Sequence, residues 1–367
     1  MVRVVSVLII IMLAWLVSAC SDSRAAKTST TNATSRQSGS GASDNLGTLF
    51  TQSPKDTGEE LIKKYLPGMK NKKTISAQQY LSGAMKAFDD RDYDGANWLI
   101  NESIKRDKTN GRAYYMRGWA RSSTIDGNYD EALQDFEKSI SLGYQIPDTY
   151  EFMARIYDSK GKPDKAIETL TKGLELPDPN AKKLYRSRGS LYLSIGKNRE
   201  ARKDYDRAIE VSPDSPTLLL IRAQLLESMN ELELAEKDYK NAARPENDIG
   251  KIPKRVFAMK SRAAIMSKLG RHDEAIADLN SALSIEPNDD ELLRLKADQY
   301  AILKKYKEAL SDYSASIDAA PDFAHASYTG RARVYEILKK SDLAKKDRQA
   351  ANALKAKPAE KPLFQIR

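Results

Sequence analysis

Cysteine is all but missing: Cys20 is the only one in 367 residues. A chain with one thiol has no disulfide framework and no thiolate metal cluster. Histidine is nearly as scarce. His272 and His325 lie far apart with no cysteine near either, which leaves no paired-histidine metal motif. No glycine-rich phosphate loop and no nucleophile elbow occurs. Carboxylates are plentiful but recur at fixed positions, where helix starts and ion pairs account for them. No catalytic residue, no metal site and no cofactor is therefore expected. The net charge is +9, from 60 basic and 51 acidic residues. The two signs alternate along most of the chain instead of forming one basic stripe, so a nucleic-acid partner is not expected.

What the chain has is a period. Three small residues recur eight times at one spacing. The middle one is always alanine: Ala96, Ala132, Ala166, Ala201, Ala235, Ala275, Ala309 and Ala344. The steps between them are 36, 34, 35, 34, 40, 34 and 35 residues. With that alanine counted as position 20, position 8 is small (Ala84, Gly118, Ala154, Gly189 and so on) and so is position 27. Tyrosine recurs at positions 4 and 11, and position 24 is large in seven units, from Ile100 and Phe136 to Tyr313. Positions 4, 8 and 11 share one helix face, and 20, 24 and 27 share another. Each unit is therefore a helical hairpin that buries its apolar face only against its neighbours. Gly127, Gly161, Gly196, Asn230 and Gly270 suit the left-handed end of the first helix. Pro213, Pro287 and Pro321 stop the second helix. The pattern departs from regularity at Ser122–Asn128 and at Arg244–Pro253, where two and six residues are added.

On these residues, 77–357 resemble the tetratricopeptide repeat family. The resemblance implies an all-α fold, an α-solenoid of about eight hairpins wound as a right-handed superhelix. It also implies a concave binding face lined by positions 2, 5, 9, 12 and 13 of each first helix. Those positions carry Leu81, Met85, Phe88, Tyr115 and Trp119 in the first two units, then Arg155, Lys183 and Arg186 in the next two. The first five form an apolar, aromatic strip suited to docking a partner. An alternative stands beside it: the segment 58–66 forms a short helix that covers the strip as a cap. The Lys/Asn set with which some family members clamp a C-terminal carboxylate is not present as a block.

Position 7 is basic in six units (Arg117, Arg188, Arg222, Arg262, Lys296, Arg331), and position 23 is aspartate in the same six (Asp135, Asp204, Asp238, Asp278, Asp312, Asp347). Units 1 and 3 have neither, with Gly83 and Leu99 in one and Met153 and Thr169 in the other. This matched presence and absence predicts an ion pair inside each hairpin, not a groove of arginines for acidic ligands.

The first 20 residues have a basic start, an apolar run from Val4 to Val17 and a small-residue ending, the form of a secretory signal. Val17-Ser18-Ala19-Cys20 resembles a bacterial lipobox. The resemblance implies a signal peptide over 1–19, lipid (palmitate) on Cys20, and an outer-membrane bias from Ser21 if the cell is Gram-negative. An uncleaved anchor is the rival reading, and the run is short for a span of about 20 residues. Residues 20–55 have almost no large apolar side chains and read as a flexible tether, with a reach of about 30–35 Å. Residues 56–76 read as a short helical lead-in and 358–367 as a tail. The expected function is that of a lipid-anchored, non-catalytic scaffold holding partner proteins at a bacterial envelope membrane. Two rivals remain: a cytoplasmic or membrane-spanning scaffold, and an envelope glycan-binding or small-molecule-binding protein or enzyme.

Overall fold

The computed structural model describes residues 57–69, 71–123, 128–177, 181–244 and 252–356. Within them are 17 α-helices, one 3-10 turn at Lys72–Thr74 and no strand. The signal segment, Cys20, the tether, the tail, Gly127 and most of the 244–253 insertion lie outside the described residues.

Helix α1 (Gly58–Tyr65) precedes eight hairpins. Unit 1 is α2 (Ala77–Asp89) and α3 (Tyr93–Arg106), and unit 2 is α4 (Gly111–Ser122) and α5 (Tyr129–Ser141). Unit 3 is α6 (Pro147–Ser159) and α7 (Pro163–Leu174), and unit 4 is α8 (Lys182–Ser194) and α9 (Asn198–Val211). Unit 5 is α10 (Pro216–Ser228) and α11 (Leu232–Ala242), and unit 6 is α12 (Ile252–Lys268) and α13 (His272–Leu283). Unit 7 is α14 (Asp290–Ile302) and α15 (Tyr306–Ala319), and unit 8 is α16 (His325–Ile337) and α17 (Ser341–Ala356). Each helix packs most closely on its partner within the hairpin, then on the next unit. The fold is an all-α solenoid whose core is a chain of local clusters.

The small columns work by close approach. A Cβ added to Gly118 would sit 2.9 Å from the Phe136 ring and 3.1 Å from the Ala132 carbonyl. Phe136, Tyr205 and Tyr239 fill position 24 and are fully buried. Dispersion contacts at such density hold the two backbones together.

The turn inside each described hairpin follows one scheme. The residue at position 15 is left-handed in seven units: Arg91, Gly161, Gly196, Asn230, Gly270, Lys304 and Lys339. The next residue's N–H donates to the carbonyl five positions back, as in Lys162 to Tyr157 (2.9 Å), Lys197 to Tyr192 (2.8 Å) and Lys340 to Tyr335 (2.8 Å). This is the Schellman end of a helix, which satisfies carbonyls left over by the last turn. The sequence rule found the glycines and Asn230 but missed Arg91, Lys304 and Lys339, which take the same conformation at φ 59° in all three.

Helix α1 begins with a capping box, in which the Thr57 and Glu60 side chains serve each other's backbone N–H. It buries Leu61, Ile62 and Tyr65 against unit 1. Leu66 lies over Gly83, where a Cβ would come within 3.1 Å of it, and Trp98 lies over Gly58. The Tyr65 hydroxyl donates to Asp92 Oδ2 at 2.7 Å. Gly83 is position 7 and Leu99 is position 23, so unit 1, one of the two that lack the Arg/Asp pair, presents an apolar face there, and α1 with Leu66 covers it.

Candidate functional site

Helix α4 carries Tyr115 and Trp119 one turn apart, and both are half-buried. Trp119 stacks on Phe88 with centroids 4.3 Å apart and lies 6.4 Å from Phe152. Phe152 stacks on Phe136 at 6.0 Å, and Tyr115 packs against Tyr144 and Phe152 at 5.7 and 6.4 Å. One aromatic seam thus runs across units 1 to 3. Phe152 and Tyr144 escaped the sequence reading because neither occupies one of the five face positions. Met85 is 48% exposed at the seam's edge, with an Arg112 guanidinium nitrogen 3.6 Å from its sulfur.

Leu81 and Phe88 are covered, Phe88 as the buried unit-1 end of the seam. They are only 1% and 9% exposed, inside the core that α1 helps to close. Of the expected strip at this end, Met85, Tyr115 and Trp119 are the members that reach solvent. Helix α1 and the residue after it meet unit 1 at Gly83, Trp98 and Asp92 and share one core with Leu81 and Phe88.

The face turns polar in units 3 and 4. Lys183 reaches Asp148 at 3.5 Å, and the Ser187 hydroxyl donates to Glu151 at 3.4 Å. Burial, with Asp148, Tyr144 and Glu151 nearby, pushes the Tyr115 phenol above its ordinary range, so it stays a neutral hydrogen-bonding group. Arg155 and Arg186 are exposed.

The position-7 and position-23 residues lie between helices, away from this face. Arg222 Nε and Nη2 each donate to Asp238 at 2.7 Å. Arg117 binds Asp135 at 2.9 and 2.6 Å, Arg188 binds Asp204 at 2.8 and 2.7 Å, and Arg331 binds Asp347 at 2.8 Å twice. Arg262 and Asp278 pair in the same two-pronged way. Lys296 lies 3.2 Å from Asp312. The arginines have a further role that the sequence reading did not include. Their remaining nitrogen, Nη1, donates to position 25 of the preceding unit: Asn101, Thr171, Asp206 and Ser314 receive Arg117, Arg188, Arg222 and Arg331 at 2.7–3.0 Å. Each such guanidinium joins two helices of its own hairpin and one of the unit before. Asp238 holds Arg222 more firmly protonated than a free arginine. Burial raises Asp278, and the Arg262 hydrogen bonds oppose that rise.

His272 opens α13 and His325 opens α16. His272 Nδ1 bonds Gln299 at 2.9 Å. No cluster of three potential metal ligands exists among the described residues, and no described helix is long and apolar enough to cross a membrane.

Two profiles described as "Tetratricopeptide repeat" match residues 147–179 and 186–249. The chain is a tetratricopeptide repeat protein. A third profile, "Bacterial transcriptional activator domain", matches residues 252–318 of the same repeat array. This tetratricopeptide repeat protein is 36% identical over 107 residues to "Photosystem I assembly protein Ycf3" of Prochlorococcus marinus, covering 27% of this chain and 61% of that one. It is 24% identical over 209 residues to the "Hsp70-Hsp90 organizing protein" of Triticum aestivum, covering 53% and 33%. The chain thus spans less than two thirds of the length of these curated relatives. Among solved structures, the C-terminal part of a TPR repeat-containing protein from Cytophaga hutchinsonii superposes with a TM-score of 0.53 at 16% identity, over 68% of this chain and 96% of that one. That likeness bears on the fold alone.

Proposed function

We propose that this protein is a non-catalytic scaffold that holds partner polypeptides on the first-helix face of its N-terminal units, tethered to a bacterial envelope membrane by lipid on Cys20. The observation that carries the docking half is the aromatic seam. Trp119 and Tyr115 are fixed by stacking and half-exposed beside Met85, so they offer rigid apolar area at low entropic cost. The charged groups on Asp148, Glu151, Arg155, Lys183 and Arg186 continue the face and would select the partner's orientation. Two matched relatives bear the names of an assembly and an organising protein, which supports a scaffold, and a third is named as a protein O-mannosyl-transferase. The anchoring half is carried by Val17-Ser18-Ala19-Cys20 and the soft segment behind it.

Two experiments test the halves separately. Crosslinking and capture from intact cells, with Tyr115→Ala and Trp119→Ala together, should lose the partners recovered by the unaltered protein. An unchanged partner list would remove the seam as the docking site. Metabolic palmitate labelling should depend on Cys20, and label retained by Cys20→Ala would end the lipid-anchor reading.

A further inference from the structure

A cavity of about 450 Å³ opens between units 2 and 3, walled by Ile140, Tyr150, Met153, Tyr157, Glu137 and Thr169 among others. It lies on the position 4, 7 and 11 side of α6, about 200° around a helix from positions 2, 5 and 9. It is therefore separate from the aromatic seam.

Its walls match those that surround a bound arginine in the next unit. In unit 4 the Arg188 guanidinium lies 6.0 Å from the rings of both Tyr185 and Tyr192, at positions 4 and 11. Its Nη1 donates to Thr171, at position 25 of the unit before. Unit 3 keeps both tyrosines, Tyr150 and Tyr157, and position 25 of the unit before it is a carboxylate, Glu137. Two members are exchanged: position 7 is Met153, an uncharged side chain that shares the cavity wall with Glu137, and position 23, the aspartate that holds Arg188 in unit 4, is Thr169, which leaves Glu137 as the carboxylate facing the place of the missing guanidinium. Of the lysines at the rim, Lys172 is paired with Glu168 at 2.7 Å, and Lys165 Nζ stands 6.0 Å from the outer ring, Tyr157, the distance Arg188 keeps from each of its two.

We propose that this cavity receives an arginine side chain from a partner polypeptide. The guanidinium would lie between the Tyr150 and Tyr157 rings and donate to Glu137, while its aliphatic stem packs on Met153 and Ile140. The site is a second docking point, independent of the seam on the other side of the first helices.

The test uses small probes on the full-length protein with labelled tyrosines. N-acetyl-argininamide should shift the Tyr150 and Tyr157 ring resonances saturably, while N-acetyl-norleucinamide and the N-acetyl amide of aspartic acid should bind at least tenfold more weakly. Glu137→Gln, at an exposed position, should weaken the arginine probe about fivefold or more. The double variant Met153→Arg with Thr169→Asp restores the pattern of six other units, so it should fold and fill the site with its own guanidinium, abolishing the response. Equal binding of the norleucine probe, preference for the aspartic acid probe, or an unchanged response in either variant would overturn the proposal. Loss of the seam by Tyr115→Ala and Trp119→Ala should leave this binding intact.

Discussion

Single residues in this array can be judged against their counterparts in the other units. Position 15 must be left-handed, and Arg91, Lys304 and Lys339 occupy it although they carry a Cβ. For an L-residue that conformation costs about 1–2 kcal/mol, and glycine avoids the clash at some cost in unfolded-state entropy. Lys304→Gly and Lys339→Gly should therefore each stabilise the protein by about 0.5 kcal/mol, read as a higher denaturant midpoint with unchanged slope. Both side chains are exposed, so little else is lost. Unit 7 is also the one paired unit that uses lysine. Lys296 brings a single ammonium to Asp312, whose Oδ2 is buried without a well-aligned hydrogen bond. Burial pushes the Asp312 carboxyl above its ordinary value, with Lys296 opposing. A folded pKa above the unfolded one means stability is lost as pH rises through the folded pKa. Lys296→Arg would supply two parallel hydrogen bonds and leave Nη1 near position 25 of unit 6, Asn280. The expected gain is about 1 kcal/mol at pH 7 and less near pH 3. Equal effects at both pH values would show that the guanidinium does not act through the Asp312 charge.

At the scale of elements, α1 is the piece most dependent on one side chain. Asp92 caps α3 through Gly95 N–H at 2.8 Å and accepts from Tyr65 at 2.7 Å, with Lys64 at 3.4 Å. Burial alone would raise its carboxyl, but the bonds from Tyr65 and Gly95 and the nearby Lys64 hold it below its ordinary value. A depressed folded pKa means that its contribution is complete above the unfolded value near 4 and is lost as pH falls through the folded one. Exchange protection in α1 should therefore drop on acidification before that of α2. Asp92→Asn should bring the drop to neutral pH while largely keeping the cap, and Asp92→Ala should cost about 1 kcal/mol more through the lost cap. Protection in α1 that is equal at pH 3 and pH 7 would exclude this role. The hairpins themselves were legible in the sequence because a period of about 34 repeats one packing solution eight times. The left-handed lysines were not, since the turn is imposed by the pairing of the two helices rather than by the residue placed in it. Leu81 and Phe88 were misplaced for a related reason. Positions 5 and 12 face the groove in an inner unit, but at the end of the array Leu61 and Leu66 join the same core. Phe152 was invisible because it makes its contacts from α6 to the unit before, which the period alone does not show.

For the array as a whole, stability depends on the weakest joint, since each unit touches little beyond its neighbours. That joint lies between units 2 and 3. Helix α5 packs less closely on α6 than any other second helix does on the first helix of the next unit. The arginine that would bridge the joint is replaced by Met153, the cavity occupies its place, and the buried Thr149 Oγ1 has no hydrogen-bond partner among the described residues. Across the joint lie the apolar cluster of Leu133, Phe136, Met153 and Ile156, the ring contacts of Phe152 with Tyr115, Phe136 and Trp119, and the Lys160–Asp130 ion pair. Two units backed by α1 on one side and six on the other then open separately, and the smaller block has fewer interfaces to hold it. Native-state hydrogen exchange should give the most protected amides of α2–α5 a common opening free energy at least about 1 kcal/mol below that of α8–α15. Met153→Arg with Thr169→Asp adds a guanidinium whose free nitrogen can reach Glu137 across the joint, so the two blocks should approach a single value. One shared opening free energy in the unaltered protein would mean that the apolar cluster, the seam and the Lys160–Asp130 pair couple units 2 and 3 as firmly as the arginine bridges couple other units.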